Sequence, residues 1–213
     1  VLETRPGAPS TRCDVFESLD AESPSHSLGF LDGHLIFDVL AFNRYRTLLG
    51  RDEHYTWRSG IKHGCSQVME LGRASICYRN GLGEAALIED ALLYPMLKSS
   101  DIGNGRIECR SSMLVTQEYV GQETNRIRLT APLAWNYLAR HADLLDRRGS
   151  VIYKNKPAFS IFGVGPYTFA PWKIAISGFY KSLRFVKIGP VNDKPVVFDD
   201  TIYFLPCRSA DEA

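Results

Sequence analysis

The stretch Tyr153-Lys-Asn-Lys-Pro-Ala-Phe-Ser-Ile-Phe-Gly-Val-Gly-Pro-Tyr-Thr-Phe-Ala-Pro-Trp-Lys-Ile-Ala-Ile-Ser-Gly-Phe-Tyr-Lys-Ser-Leu-Arg-Phe-Val-Lys187 decides how this chain is read. It contains no carboxylate. Lys154, Lys156, Lys173, Lys181, Arg184 and Lys187 are interleaved with Phe159, Phe162, Tyr167, Phe169, Trp172, Phe179, Tyr180 and Phe185. Two readings fit these residues equally well. In one, the cations grip phosphate and the rings pack on bases. In the other, the rings are the core of a sheet and the lysines its solvated face. In both the segment is β-rich: short runs at 159–162, 172–176 and 183–188 alternate with Gly and Pro turns and continue at 195–198 and 201–205.

Charge sets this region apart. Residues 126–187 hold 11 Lys+Arg against only Asp143 and Asp146, whereas residues 1–125 hold 12 against 17 acids and residues 188–213 hold 2 against 5. The formal net charge of +1 therefore hides a basic middle between acidic ends. That distribution favours one polyanion-binding face over a uniformly sticky surface.

The 213 residues suffice for a real core, and 45% hydrophobic with 23% charged residues is the composition of a globular protein. No apolar run approaches the ~20 residues of a membrane helix. Val1 to Ser27 is polar, without the apolar centre of a secretory leader, and a start at Val1 rather than Met reads as a fragment of something longer. Cys13, Cys65, Cys77, Cys109 and Cys207 are odd in number and scattered, which suits reduced thiols in a cytoplasm better than a disulfide framework.

Upstream of the basic stretch, residues 1–27 read as a flexible lead-in and residues 28–213 as one domain. Leu35–Val39 reads as a strand, followed by a helical turn near Asn43–Leu49. Arg73–Tyr78 and Ala85–Ile88 read as a hairpin around Asn80-Gly81-Leu82-Gly83. Ile88–Leu97 reads as a short helix that empties into the polar turn Lys98-Ser99-Ser100-Asp101. Ile107–Thr116 reads as a strand. Thr130 is placed to cap a helix with Pro132 in its first turn and Leu138, Ala142 and Leu145 at helical spacing, closed by Arg147-Arg148-Gly149. The expected fold class is α+β: a β-rich domain with a few short helices.

Catalytic chemistry is hard to find. Phe162-Gly163-Val164-Gly165 is one residue off the glycine turn that binds S-adenosylmethionine, and Pro166-Tyr167 follows where a helix should open. His63 and Cys65 have no second pair at zinc-finger spacing. Asp199 and Asp200 are adjacent, so on a strand they point to opposite faces and suit a turn or strand end better than one metal. No catalytic residue, metal or cofactor is expected of this chain itself.

Several strings, taken together, resemble a known family: Trp57-Arg58-Ser59-Gly60-Ile61-Lys62-His63, Asn80-Gly81-Leu82-Gly83-Glu84, Leu93-Tyr94-Pro95-Met96-Leu97-Lys98-Ser99-Ser100-Asp101, Tyr153-Lys154-Asn155-Lys156-Pro157, Phe159 to Gly165, and Asp199-Asp200-Thr201-x-Tyr203-Phe204. In this order, over about residues 55–206, they resemble the C-terminal target-recognition region (the TaqI-like specificity domain) of adenine-specific DNA methyltransferases from bacterial restriction–modification systems. That family's catalytic half carries an Asn/Asp-Pro-Pro-Tyr/Phe motif and the cofactor glycine turn, and neither occurs here. The resemblance implies sequence-specific binding of double-stranded DNA, with methylation, and S-adenosylmethionine, left to a parent methyltransferase domain outside this sequence. An enzyme that extrudes its target base needs a companion surface that holds the flanking duplex and reads base edges.

On this reading Arg58, Lys62 and His63 on their glycine loop, and Lys98, Ser99 and Ser100, read bases. Lys154, Lys156, Lys173, Lys181, Arg184 and Lys187 neutralise phosphates. Trp57, Ser59, Asn155 and Tyr167 complete the expected DNA-binding set. Phe162, Phe169 and Phe179 are assigned to the core. Two alternatives remain: a protein-interaction module whose rings dock a partner subunit, and a metal-dependent nuclease using Asp199, Asp200 and Lys194.

Overall fold

A computed structural model describes residues 12–50, 54–73, 77–179 and 183–213. The chain divides into two compact units, with the boundary after Glu53. It is an α+β protein, as its sequence pattern implies.

In the first unit, β1 (Arg12–Val15), β2 (His26–Leu31) and β3 (His34–Ile36) form an antiparallel sheet in that order. Asp32 and Gly33, at φ of 50° and 81°, make the two-residue turn that joins β2 to β3. Residues 12–15, inside the stretch read as a flexible lead-in, are thus a paired strand. The strand expected at Leu35–Val39 stops at Ile36. Asp38 intervenes: its carboxylate accepts the Ala41 N–H at 2.9 Å and starts α1 (Val39–Tyr45).

The second unit begins with β4 (Arg58–Ser59), α2 (Ser66–Met69), β5 (Glu70–Arg73), β6 (Tyr78–Arg79) and β7 (Ala85–Ala86). Next come β8 (Leu93–Leu97), α3 (Ser99–Gly103), β9 (Ser111–Leu114), α4 (Ile127–Thr130), α5 (Pro132–Arg140) and α6 (Ala142–Asp146). The last strands are β10 (Trp172–Ser177), β11 (Phe185–Ile188), β12 (Val197–Phe198) and β13 (Ile202–Cys207). Two sheets result, ordered β12-β8-β9-β5-β6-β7 and β11-β10-β13-β4. One apolar cluster lies between the larger sheet and α4–α6, centred on Leu71, Met113, Leu138 and Leu145. A second, built on Leu97, Ile102, Ala175, Phe198, Ile202 and Phe204, fills the inner face of the smaller sheet.

Two elements differ from the sequence reading. Ile88–Leu97 is a single turn at Asp90–Leu92 and then strand β8, because Leu93, Met96 and Leu97 are all buried between β9 and β12. A short strand buried on both faces has no alternation to distinguish it from a helix segment. The cap of α5 is also not Thr130, whose hydroxyl turns back to the Arg126 carbonyl. The cap comes from Glu89, whose two carboxylate oxygens accept the N–H groups of Leu133 and Ala134, each at 2.8 Å. A cap supplied from so far along the chain leaves no local signature. The Asn80–Gly83 hairpin forms as expected: Asn80 Oδ1 accepts from Leu82 N and Glu84 N, closing the turn between β6 and β7.

Candidate nucleic-acid interface

Several of the strings scattered along the sequence meet in space. Gly60 makes this possible, since a Cβ there would sit 2.1 Å from the Asp199 carbonyl oxygen and 2.5 Å from that of Phe198. Only glycine lets the two chains approach so closely. The approach is fixed by Gly60 N to Ile202 O at 3.0 Å and Ile61 N to Phe198 O at 2.7 Å. On its other side the loop exchanges two backbone hydrogen bonds with Phe162, at 2.8 and 2.9 Å. Gly163, at φ +67°, lies with its missing Cβ 2.3 Å from the Gly60 carbonyl. Two glycines thus knit the 57–63 loop, the 159–163 segment and the 198–202 turn into one surface. Nothing is left of a cofactor cradle: Gly163 faces backbone, Val164 is buried, and the Tyr167 ring fills the space beside Gly165. The residues do not fit S-adenosylmethionine.

Arg148 holds this junction from beneath. It donates to the carbonyls of Leu145, His63 and Ser160 at 2.6, 3.1 and 2.6 Å, and its guanidinium lies 3.8 Å from the Tyr153 ring centroid. Burial pushes its pKa down from the usual arginine range. Tyr153 in turn donates its hydroxyl to Lys62 O at 3.1 Å, tying the 153–156 turn to the 57–63 loop. Lys154, Asn155 and Lys156 are exposed at that turn, Asn155 at φ +56°. Among the described residues, neither Lys154 nor Lys156 has a carboxylate partner. Lys62 is exposed with its ammonium 3.8 Å from Asp200.

A partly buried carboxylate organises the base-reading candidates. Glu70 accepts from His63 Nε2 at 3.3 Å and bonds the Lys98 ammonium. Burial alone would raise the Glu70 pKa; the hydrogen bonds from His63 and Lys98 outweigh it and hold the carboxyl below its usual range. The Cys65 N–H donates to His63 Nδ1 at 3.2 Å, which leaves the proton of a neutral imidazole on Nε2, facing Glu70. Asp199, its pKa raised by burial, accepts from the Thr201 hydroxyl at 2.6 Å and shapes the turn into β13. Lys194 is bound to Asp90 and the Leu93 carbonyl at the start of β8, while Asp199 meets Leu97 at its end. The suggested grouping of Asp199, Asp200 and Lys194 is therefore not assembled. No trio of metal-ligating side chains occurs among the described residues.

The structure brings together Arg58, Ser59, Lys62, His63, Lys98, Lys154, Asn155 and Lys156. Arg58 lies 4.8 Å from the Tyr167 ring, and Tyr167 itself is half-buried against Phe204. Ser100 is exposed, but Ser99 is buried and bonded to the Ser177 hydroxyl, so it does not face solvent. His63 is buried as well. Lys173 needs the largest correction. It is 1% exposed on the inner face of β10, with its ammonium 5.8 and 5.9 Å from the rings of Phe198 and Phe204. Its ammonium donates to the Ala170 carbonyl at 2.6 Å, and burial pushes its pKa down to about 7. It can touch no phosphate in this fold.

Arg184 and Lys187 are exposed around β11, Lys187 with its ammonium 5.9 Å from the Trp172 ring. Lys181 lies outside the described residues. The outer face of the smaller sheet carries Phe185, Ile174, Ile176, Leu205 and Tyr203, with Trp57 laid beside Phe185 at 6.0 Å between centroids. Phe179, assigned to the core from sequence, is 80% exposed, whereas Phe162 and Phe169 are partly buried. Glu70, Arg148 and Tyr153 had no assigned site role in the sequence reading, which gave Arg148 only to the end of the 132–145 helix. The only hint was their position within or beside the resembling strings.

No family model matches this chain. Over 194 residues it is 46% identical to the Type II methyltransferase M.NspV of Nostoc sp. (strain ATCC 29411 / PCC 7524), a match spanning 91% of this chain and 40% of that relative. The chain is thus similar to one part of a Type II methyltransferase and spans about two fifths of its length.

Proposed function

We propose that this chain is the target-recognition part of an adenine-specific DNA methyltransferase of a restriction–modification system. It binds double-stranded DNA and has no catalysis of its own. The observation that carries this reading is the convergence of Arg58, Lys62, Lys98, Lys154 and Lys156 on loops locked to one scaffold by Gly60, Gly163 and Arg148. Rigidly placed loops that present cations suit duplex recognition: side chains can vary without unfolding the sheets, and exposed lysines such as Lys154 and Lys156 neutralise phosphates. Similarity to a Type II methyltransferase supports the assignment of the parent activity. S-adenosylmethionine and the methyl transfer then belong to the rest of that parent, which is also this chain's protein partner in a bacterial cytoplasm.

The apolar outer face around Trp57, Phe185 and Tyr203 supports a second role within the same reading. Rings exposed on a sheet suit docking against the parent's remaining domain, with duplex held between the two.

Fluorescence anisotropy with a labelled duplex tests the main reading. Affinity is expected to fall steeply between roughly 50 and 200 mM salt. Replacing Lys154 and Lys156 with Gln is expected to reduce the salt slope by about 1 to 2. Binding that ignores salt across that range overturns it.

A further inference from the structure

We propose a second anion site: a cleft where Arg73 and Arg110 together take a phosphate-type oxyanion. It deepens the duplex-binding reading and rests on it only for the source of the phosphate.

The cleft has a volume of about 210 Å³ and opens on the larger sheet where β5 and β9 run out. Gly72 pairs with Ser111, so Arg73 and Arg110 follow one step further along neighbouring strands, and both line the cleft. Two like charges side by side on adjacent strands repel, which is unfavourable unless something of opposite charge lies between them. Both guanidiniums are exposed, and among the described residues neither has a carboxylate or carbonyl partner.

The rest of the lining has the matching chemistry. Ser111 and Ser112 contribute hydroxyls with no protein partner among the described residues. Asn192 faces the cleft from a two-residue turn in which it and Asp193 have φ of 50° and 61°, closed by reciprocal hydrogen bonds between Val191 and Lys194. Lys194 and Asp90 are also present, but they neutralise each other at 2.5 Å, and Lys194 further donates to Leu93 O at 3.0 Å. The cleft therefore keeps two uncompensated positive charges beside hydroxyl and amide donors. Paired guanidinium forks with hydroxyls are suited to the oxygens of a phosphate and poorly suited to a lone metal or an apolar group.

Such a group comes from one of two sources, a phosphodiester of bound duplex or a free phosphate. The test uses the full chain and compares Arg73→Gln/Arg110→Gln with Lys154→Gln/Lys156→Gln. Both arginines are exposed at strand ends, so unchanged thermal melting is expected and checks that the variant folds; Arg110→Lys, which keeps the charge and loses the fork, is a second variant. One arm measures duplex affinity against salt. The other titrates inorganic phosphate and follows the backbone amide NMR signals of the lining residues Ser111, Ser112 and Asn192, which the variants keep.

A duplex source predicts about tenfold weaker duplex binding and a salt slope reduced by about 1 to 2 in the arginine variant. A free-phosphate source predicts unchanged duplex binding but loss of the phosphate-induced shifts. Should wild type bind no duplex and still show Arg73- and Arg110-dependent phosphate shifts, the DNA reading fails and the cleft stands. If wild type binds duplex through Lys154 and Lys156 while the arginine variant alters neither arm, the cleft proposal is overturned and the DNA reading survives.

Discussion

Lys156 and Lys173 belong to the same basic stretch, yet one stands in water and the other lies against two phenylalanine rings. The 153–156 turn exposes its cations because its neighbours are anchored elsewhere: Tyr153 is held by Arg148 and by the Lys62 carbonyl. Strand β10 has no such freedom. Its side chains alternate between faces, and Lys173 shares the inner face with Ala175, Phe204 and Ile202. The lesson is that charge density in a sequence window says little about which cations reach a ligand. Face assignment decides.

The junction beneath the exposed turn offers the largest way to break this contrast. Gly60→Ala places a methyl group against two carbonyl oxygens, and the backbone there cannot yield. It is expected to lower stability by about 3 kcal/mol or more in denaturant melts and to abolish duplex binding by separating the three loops.

Lys173 gives the next effect, and its sign follows from burial. The folded-state pKa of about 7 lies below the 10.5 of a free lysine, so between those values the unfolded chain binds more protons than the folded one. Stability therefore rises with pH across that window, by at most about 1.4 kcal/mol per pH unit, and levels off below pH 7. In Lys173→Met this slope is expected to vanish while stability at pH 7 is kept or raised. A variant that retains the slope would place the titrating group elsewhere.

Glu70 sits between the two extremes, a partly buried acid that holds the buried His63 and the half-exposed Lys98. Glu70→Gln is expected to cost about 1–2 kcal/mol, measured by urea titration. Because the folded carboxyl is held below its usual range, wild type keeps this contribution above an ordinary glutamate's pKa and loses it as pH falls through the folded value. The variant should lack that acid-side loss.

The smallest stability effects belong to the exposed group. Lys154→Gln, Lys156→Gln and Phe179→Ser are each expected to change stability by less than about 0.5 kcal/mol. The two lysine changes should still weaken duplex binding. A large stability loss in any of the three would show that the turn or the Phe179 tip is packed.

The class of the fold, the strands from 172 onward, the hairpin at Asn80–Gly83 and the amphipathic stretch at 132–145 were legible because each has a local cause. Turn residues, period-2 or helical spacing, and a proline at a helix start all act within a few positions. The segments that meet at the Gly60 junction could also be singled out beforehand, because they contain the strings noted in the sequence. Other features arise only between distant segments. The Glu89 cap of α5, the Glu70 link between His63 and Lys98, the burial of Lys173 and the pairing of Arg73 with Arg110 all depend on which strand lies beside which. Sequence by itself determined that this chain is β-rich and carries its surplus of positive charge in the middle. Tertiary structure decided which of those charges face solvent, because side-chain direction on a strand and the partners across a junction are properties of the packed chain.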